Sequence, residues 1–407
     1  MSLLSCIKRP KMKMFRRLYF RRRLTSGEYE TDWQRIPNKY IKKWGTVSYS
    51  VEEEKPNFFK YSGMTISVVN NDGYFSDEGQ SASFFYGYLG IHRTLVKVEA
   101  GYIDTDDTEY PASSTLFIGL IDIGGTKYKT DNEVSFKVNH LSQIFEEFPA
   151  DTVKSIGSTQ TASQLIGRIR DHTDNNSVAV FQKYISSGAW NVTATTKSYN
   201  LATATSVQGL TCWSFMQKLA EAENYVIYMD NNANFYFKEN SGVPASVTFH
   251  FSGINDSDRT WGHTIMRDFN IDPGYDKIYN RIKVKFDTEE TTTSYAIYQE
   301  SWNWGDSSSS FRFGVREYST ENNLMSQSVA SATSLSLFTE FSEPKNRIQF
   351  DSKFVPQVML MNRVSVTYQS NRVIDGDKWY QFYWNSGIWG RTLAYNIDID
   401  NEEFKVV

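Results

Sequence analysis

Cysteine is nearly missing from this 407-residue chain. Cys6 and Cys212 are the two present, so no disulfide framework holds the fold and a tetrathiolate metal site is excluded. Histidine is almost as scarce, with His92, His140, His172, His250 and His263 making five. None forms an HExxH or HxxxH pair, and each is expected on the surface or in a loop. No apolar run reaches the roughly 18 residues of a membrane-crossing helix, so no membrane span is expected. A dominant charge is absent too: 43 Lys and Arg stand against 47 Asp and Glu, a net of −4. A general nucleic-acid binder needs a strongly positive field, which this balance does not supply. The G-x-S-x-G elbow, the phosphate-binding loop and G-x-G-x-x-G are missing as well.

The residues that remain as chemical candidates read as structural. Cys212 opens a helix beside Trp213 with no histidine near it in sequence, as a buried thiol would. Asp104, Asp106, Asp107 and Glu109 loosely resemble a calcium loop, but the glycine of the sharp turn is missing and the last carboxylate comes too early. Glu52-Glu53-Glu54 and Glu146-Glu147 are adjacent charges on exposed segments, not two carboxylates facing across a cleft. Sequons at Asn175, Asn191 and Asn255 carry little weight without a secretion signal. The expectation is a non-enzymatic chain with no catalytic residue, metal or cofactor.

Aromatic residues are abundant at 15%, with 25 Tyr and 27 Phe. They gather at Phe84, Phe85, Tyr86 and Tyr88, at Trp302 and Trp304, and at Trp379, Tyr380, Phe382, Tyr383, Trp384 and Trp389. Such clusters fill strand interiors and subunit interfaces, or stack on sugars; interface or core is the expectation. The other concentration is basic. Lys8 to Arg23 holds nine cations without the apolar stretch of a signal peptide. It reads as an arm in which Arg16, Arg17, Arg21, Arg22 and Arg23 contact a neighbouring subunit or nucleic acid.

Strand patterning fills both ends of the chain. Met64, Ile66 and Val68 alternate with Thr65 and Ser67 before an Asn70-Asn71-Asp72-Gly73 turn. Leu95 to Ala100, Leu116 to Ile123 and Glu133 to Val138 follow, with Gly124-Gly125 read as a turn. The centre changes period. Thr161 to Arg170 and Thr211 to Glu223 read as capped helices, the second followed by strands at 225–229 and 235–238 around Asp230–Asn234. Beyond residue 275 come strands at 281–287, 294–299, 311–315, 347–350, 363–368, 379–384 and 391–398, with one helix near 321–340. The reading is mainly β, α+β overall. A basic N-terminal arm (1–29) leads into a first β-barrel-like antiparallel domain (30–150). A small α+β domain (151–274) separates it from a second β-barrel-like domain (275–407).

Four segments in this order resemble phage baseplate hub (tail-associated) proteins. They are the strand and turn Met64 to Phe75, the strand Leu116-Phe117-Ile118-Gly119-Leu120-Ile121 with Val134 to Val138 and His140-Leu141 after it, the helix-hairpin Phe215 to Lys238, and Phe313-Gly314-Val315-Arg316-Glu317-Tyr318. The basic arm and the aromatic stretch after Trp379 depart from that pattern. The resemblance implies a homotrimer in the virion tail tip, made in the host cytoplasm. Its ring would meet the tail tube or distal tail protein, the tape measure protein and a central spike or fibre, with DNA passing transiently. The rival readings are a distal tail protein forming a sixfold ring, a receptor- or carbohydrate-binding tail module, and, weakest, a cell-wall hydrolase.

Overall fold

The computed structural model describes residues 13–52, 55–76, 79–103, 107, 109–110, 115–129, 132–153, 160–174, 177, 179–199, 207, 209–239, 249–252, 267–272, 274–289, 292–299, 308–325, 327–343, 347–353, 363–367, 369–373, 379–383, 388–391, 394–398 and 403–406. The protein is mainly β, built on large, predominantly antiparallel sheets.

Period-2 alternation builds the first sheet. In Met64–Val69 (β6), Met64, Ile66 and Val68 are buried and Thr65 is exposed. β6 pairs with Glu133–His140 (β10), which pairs with Thr115–Lys129 (β9). Leu95–Ile103 (β7), Lys13–Arg21 (β1) and Gln34–Ile36 (β2) follow on one side, and Ile41–Lys43 (β3) lies beyond β6 on the other; Glu109–Tyr110 (β8) adds to β7. Every pairing in this sheet is antiparallel. The two edge strands, β2 and β3, are separated in sequence only by residues 37–40. Five Cα steps reach at most about 18 Å, whereas a flat sheet at ~4.8 Å per strand would hold these edges about 29 Å apart. The sheet therefore curls. Leu18, Phe20, Ile66, Val68, Val96, Val98, Phe117 and Phe136 share its buried inner side.

A nine-stranded mixed sheet gathers distant parts of the chain. Its order is Trp190–Val192 (β12), Phe235–Glu239 (β15), Tyr225–Met229 (β14), Lys55–Tyr61 (β5), Thr46–Glu52 (β4), Ala394–Asp398 (β26), Glu403–Val406 (β27), Arg347–Lys353 (β21) and Arg267–Asp272 (β17). Two capped helices pack near its β12 end. Thr161 and Gln164 form a reciprocal capping box at Ala162–Arg170 (α2). Thr211 accepts from the Ser214 N–H to open Cys212–Glu223 (α3), which ends on Asn224 in the left-handed region. Gln143–Glu146 (α1) packs on α3, and Asp230 closes the β14–β15 turn by accepting from the Asn232 and Asn234 amides at 2.9 and 2.8 Å.

Arg281–Glu289 (β18) is the centre of a three-stranded sheet, between Thr292–Gln299 (β19) and Glu317–Asn322 (β20). Gln327–Phe341 (α5) packs on β18 and β19. The buried Asn322 side chain ties this sheet to α3. It donates to the Lys218 carbonyl (3.0 Å) and the Glu221 carboxylate (2.8 Å), and accepts from the Leu324 N–H (3.0 Å). One apolar core accordingly runs from Ile144, Leu165 and Leu219 through to Ile282, Val284 and Met325. Smaller sheets complete the set: Gln160–Thr161 (β11) with Ser198–Tyr199 (β13); Phe249–Ser252 (β16), Arg363–Thr367 (β22) and Ile388–Arg391 (β25); and Gln369–Val373 (β23) with Trp379–Tyr383 (β24).

Three readings need correction. Gly124-Gly125 does not end a strand: β9 runs through both as a bulge, and the register to β10 shifts there. Gly124 takes φ +78°, which supplies the bend, and the strand continues to Lys129. Residues 311–315 are not a strand. Ser308 accepts from the Phe311 N–H and caps a short helix, Ser309–Phe313 (α4), so serine capping outweighs the alternating Phe-Arg-Phe pattern. The helix expected from 321 begins at Gln327, because Glu317–Asn322 alternates exposed and buried residues as β20.

Candidate interaction surfaces

The basic segment is no loose arm over its described part. As β1 it lies between β2 and β7, with Leu18 and Phe20 fully buried, so its apolar residues fix it in the sheet. The arginines follow from that placement. Arg17 makes a two-pronged ion pair with Glu109 on β8. Arg22 grips Glu30 through Nε (2.9 Å) and a terminal nitrogen (2.6 Å), and its guanidinium stacks on Phe84 (4.1 Å) and Tyr88 (3.8 Å). The Tyr88 hydroxyl also donates to Glu30. Burial raises the Glu30 pKa, yet these donors outweigh it and hold the carboxyl below its usual range. Arg21 donates to the Glu30 carbonyl and Arg23 to that of Gly27. Arg16, on the same strand, is half-buried. Arg17, Arg21, Arg22 and Arg23 thus bind their own chain.

The tryptophans are not brought together by anything described. Trp302, Trp304 and Trp384 lie outside the described residues; Trp379 lies on β24 and Trp389 on β25. The aromatic group at 84–88 divides. Phe85 is in the core, Phe84 and Tyr88 flank Arg22, and Tyr86 is exposed. Of the acidic residues, Asp104 and Asp106 are outside the description; Glu147 pairs with Arg93, and Glu146 accepts from Thr211. No group of His, Cys, Asp and Glu suited to a metal ion occurs among the described residues. No helix among them is long and apolar enough to cross a membrane. Cys212 is buried, and burial pushes its thiol up to about 12, as an inert structural cysteine requires.

Two features escaped the sequence reading. His140 is not on the surface: it ends β10 pointing inward, with its ring parallel to that of Tyr61 at 4.0 Å and edge-on to Tyr49 and Phe117. The Ser142 amide donates to its Nδ1, so Nδ1 carries no proton and the neutral ring is the Nε2–H tautomer. Burial drives its pKa down to about 3. The inward alternation of Val134, Phe136 and Val138 extends to position 140 and was the available signal.

The second is a groove of about 880 Å³ on the outer side of the curled sheet, lined by Lys42, Lys43, Lys129, Ser67, Ser135 and Glu133 among others. Its wall is backbone. Gly45 (φ +81°) sits where a Cβ would lie 2.4 Å from the Thr65 carbonyl, so the chain can approach β6 only as glycine. Lys129 and Lys42 both bond Glu133, and Lys129 first, then Lys42, hold that carboxyl down at about 2. The hydroxyls of Ser67 and Ser135 meet at 3.0 Å on the floor.

No protein-family model matches this sequence, and no curated protein is similar to it in sequence. Solved structures do resemble it in fold. The 43 kDa tail protein of prophage MuSo2 from Shewanella oneidensis shares 11% identity over 97% of this chain and 96% of its own, with a TM-score of 0.50. A tail protein from Neisseria meningitidis MC58 shares 10% over 96% and 95%, also at 0.50. Prophage tail protein gp18 from Listeria monocytogenes EGD-e shares 11% over 96% and 94%, at 0.48. The chain has the fold of phage tail proteins. Within that class the fold is the one carried, over nearly their whole lengths, by the Shewanella and Neisseria tail proteins.

Proposed function

We propose that this chain is a structural subunit of a phage-type tail tip: a baseplate hub whose copies form a ring joining the tail tube to a central spike or fibre. The ring is a homotrimer around the channel for the tape measure protein and DNA. The observation that carries this reading is the end-to-end fold match to a prophage tail protein from Shewanella and a tail protein from Neisseria. The tied edges of the curled first sheet support a barrel-like N-terminal unit, and strands after residue 275 would supply the second ring segment of each subunit. Three copies then match a sixfold tube. Closed rings need heterologous, complementary faces on each subunit. The reading is tested by locating the chain in purified particles with a gold-labelled antibody. Label at the tail tip supports it; label along the tube, on the head or absent from particles refutes it.

A further inference from the structure

The outer face of the β3–β6–β10–β9 part of the sheet is basic on a chain that is otherwise acidic. Register places the side chains. Lys127 on β9 lies opposite Ser135 on β10, Ser135 opposite Ser67 on β6, and Ser67 opposite Lys43 on β3. Lys129 lies opposite Glu133 in the next row, and Lys42 reaches the same carboxylate. Lys137 faces Thr65 and bonds Asp122 at 2.9 Å. The face spans four strands, about 14 Å at ordinary strand spacing. It carries five lysines against Glu133 and Asp122, a balance of +3, with the side chains of Lys42, Lys129 and Lys137 all more than half exposed. The chain as a whole is −4, so the rest holds 38 Lys and Arg against 45 Asp and Glu, a balance of −7. Lys43 and Lys127 are exposed and have no carboxylate partner among the described residues.

We infer that this basic face and its groove receive an acidic surface of a second copy of this chain. The inference deepens the ring reading and rests on it. Charge complementarity selects the occupant. Each copy presents this positive face and a remainder that is negative on balance, so head-to-tail contact pairs unlike charges in every interface of a ring, whereas contact between two like faces repels. Nucleic acid suits the face less well. Glu133 and Asp122 stand within it and oppose phosphate, and the −4 field of the whole chain repels a polyanion. The wall at Gly45 and the hydroxyl floor at Ser67 and Ser135 give the incoming carboxylates a concave seat beside Lys43 and Lys127.

The test is self-association of the full chain by sedimentation velocity at about 0.05 M and about 0.5 M salt, where screening lengths differ several-fold. The expected result is association at low salt that weakens at high salt. The variant Lys43→Glu/Lys127→Glu weakens it by about tenfold or more, and Lys43→Gln/Lys127→Gln by less. The control Arg35→Glu/Lys238→Glu makes the same change in net charge on exposed positions elsewhere and leaves association unchanged. Near-ultraviolet circular dichroism checks that all variants are folded. Association that ignores the face variants overturns the inference and leaves the ring standing. Equal loss in face and control variants also overturns it, as a bulk charge effect. A wild-type chain that stays monomeric overturns the inference and the ring together. Binding of a short DNA duplex that Lys43→Glu/Lys127→Glu abolishes, with self-association untouched, assigns the face to nucleic acid instead.

Discussion

Acid should destabilise this protein through His140, and by an amount the structure sets. The ring is buried against Tyr61, Tyr49 and Phe117, and its Nδ1 already accepts from the Ser142 amide. No described carboxylate bonds it, so a proton placed there would be a buried, unpaired charge. Its folded pKa is about 3, against an ordinary value of about 6.5. Between those values the unfolded chain binds a proton that the folded chain refuses, so stability is intact above pH ~6.5 and falls as the pH drops. The slope approaches 1.4 kcal/mol per pH unit, roughly 2 kcal/mol lost by pH 5. His140→Gln removes the titration while keeping a polar side chain. Urea denaturation of both proteins at pH 8 and pH 5 isolates the effect, because other titrating groups cancel in the difference. The wild-type advantage over His140→Gln should shrink by about 2 kcal/mol on going to pH 5. Equal pH dependence of the two proteins would refute the argument.

The other predictions concern packing and polar networks. Asn322→Ala strips partners from Lys218, Glu221 and Leu324 and should cost about 2–4 kcal/mol by urea denaturation. The loosened sheet should also raise amide exchange in α3. Arg22→Ala leaves Glu30 half-buried without its bidentate partner and should cost about 3 kcal/mol. The double variant Arg22→Ala/Glu30→Gln should recover part of that loss, which a thermal melt of the pair would reveal. Thr211→Ala removes the N-cap of α3 and should cost about 1 kcal/mol, with Thr211→Ser close to wild type.

How far the fold was legible depended on the kind of signal. The strand at Met64–Val69 and the helices after Thr161 and Thr211 were readable because alternation and capping act within a few residues. The bulge at Gly124 was not, since a positive φ serves a turn and a bulge alike and only the partner strand decides between them. The serine-capped α4 lost out to an aromatic alternation that looks like a strand. Charge hid β1: nine cations drew the eye from Leu18 and Phe20, whose burial sets the segment in the sheet, and the partners Glu30 and Glu109 are invisible to local reading. The basic face was equally out of reach, because Lys43 and Lys127 fall in one row of it only through the register of four strands.

The central claim is a ring-forming tail-tip subunit, and the mass of the purified chain in solution tests it most directly. Native mass spectrometry should find a closed trimer, three times the 46.9 kDa of one chain. A hexamer would move the chain to the sixfold ring above the hub. A strict monomer at every concentration and salt would contradict the account.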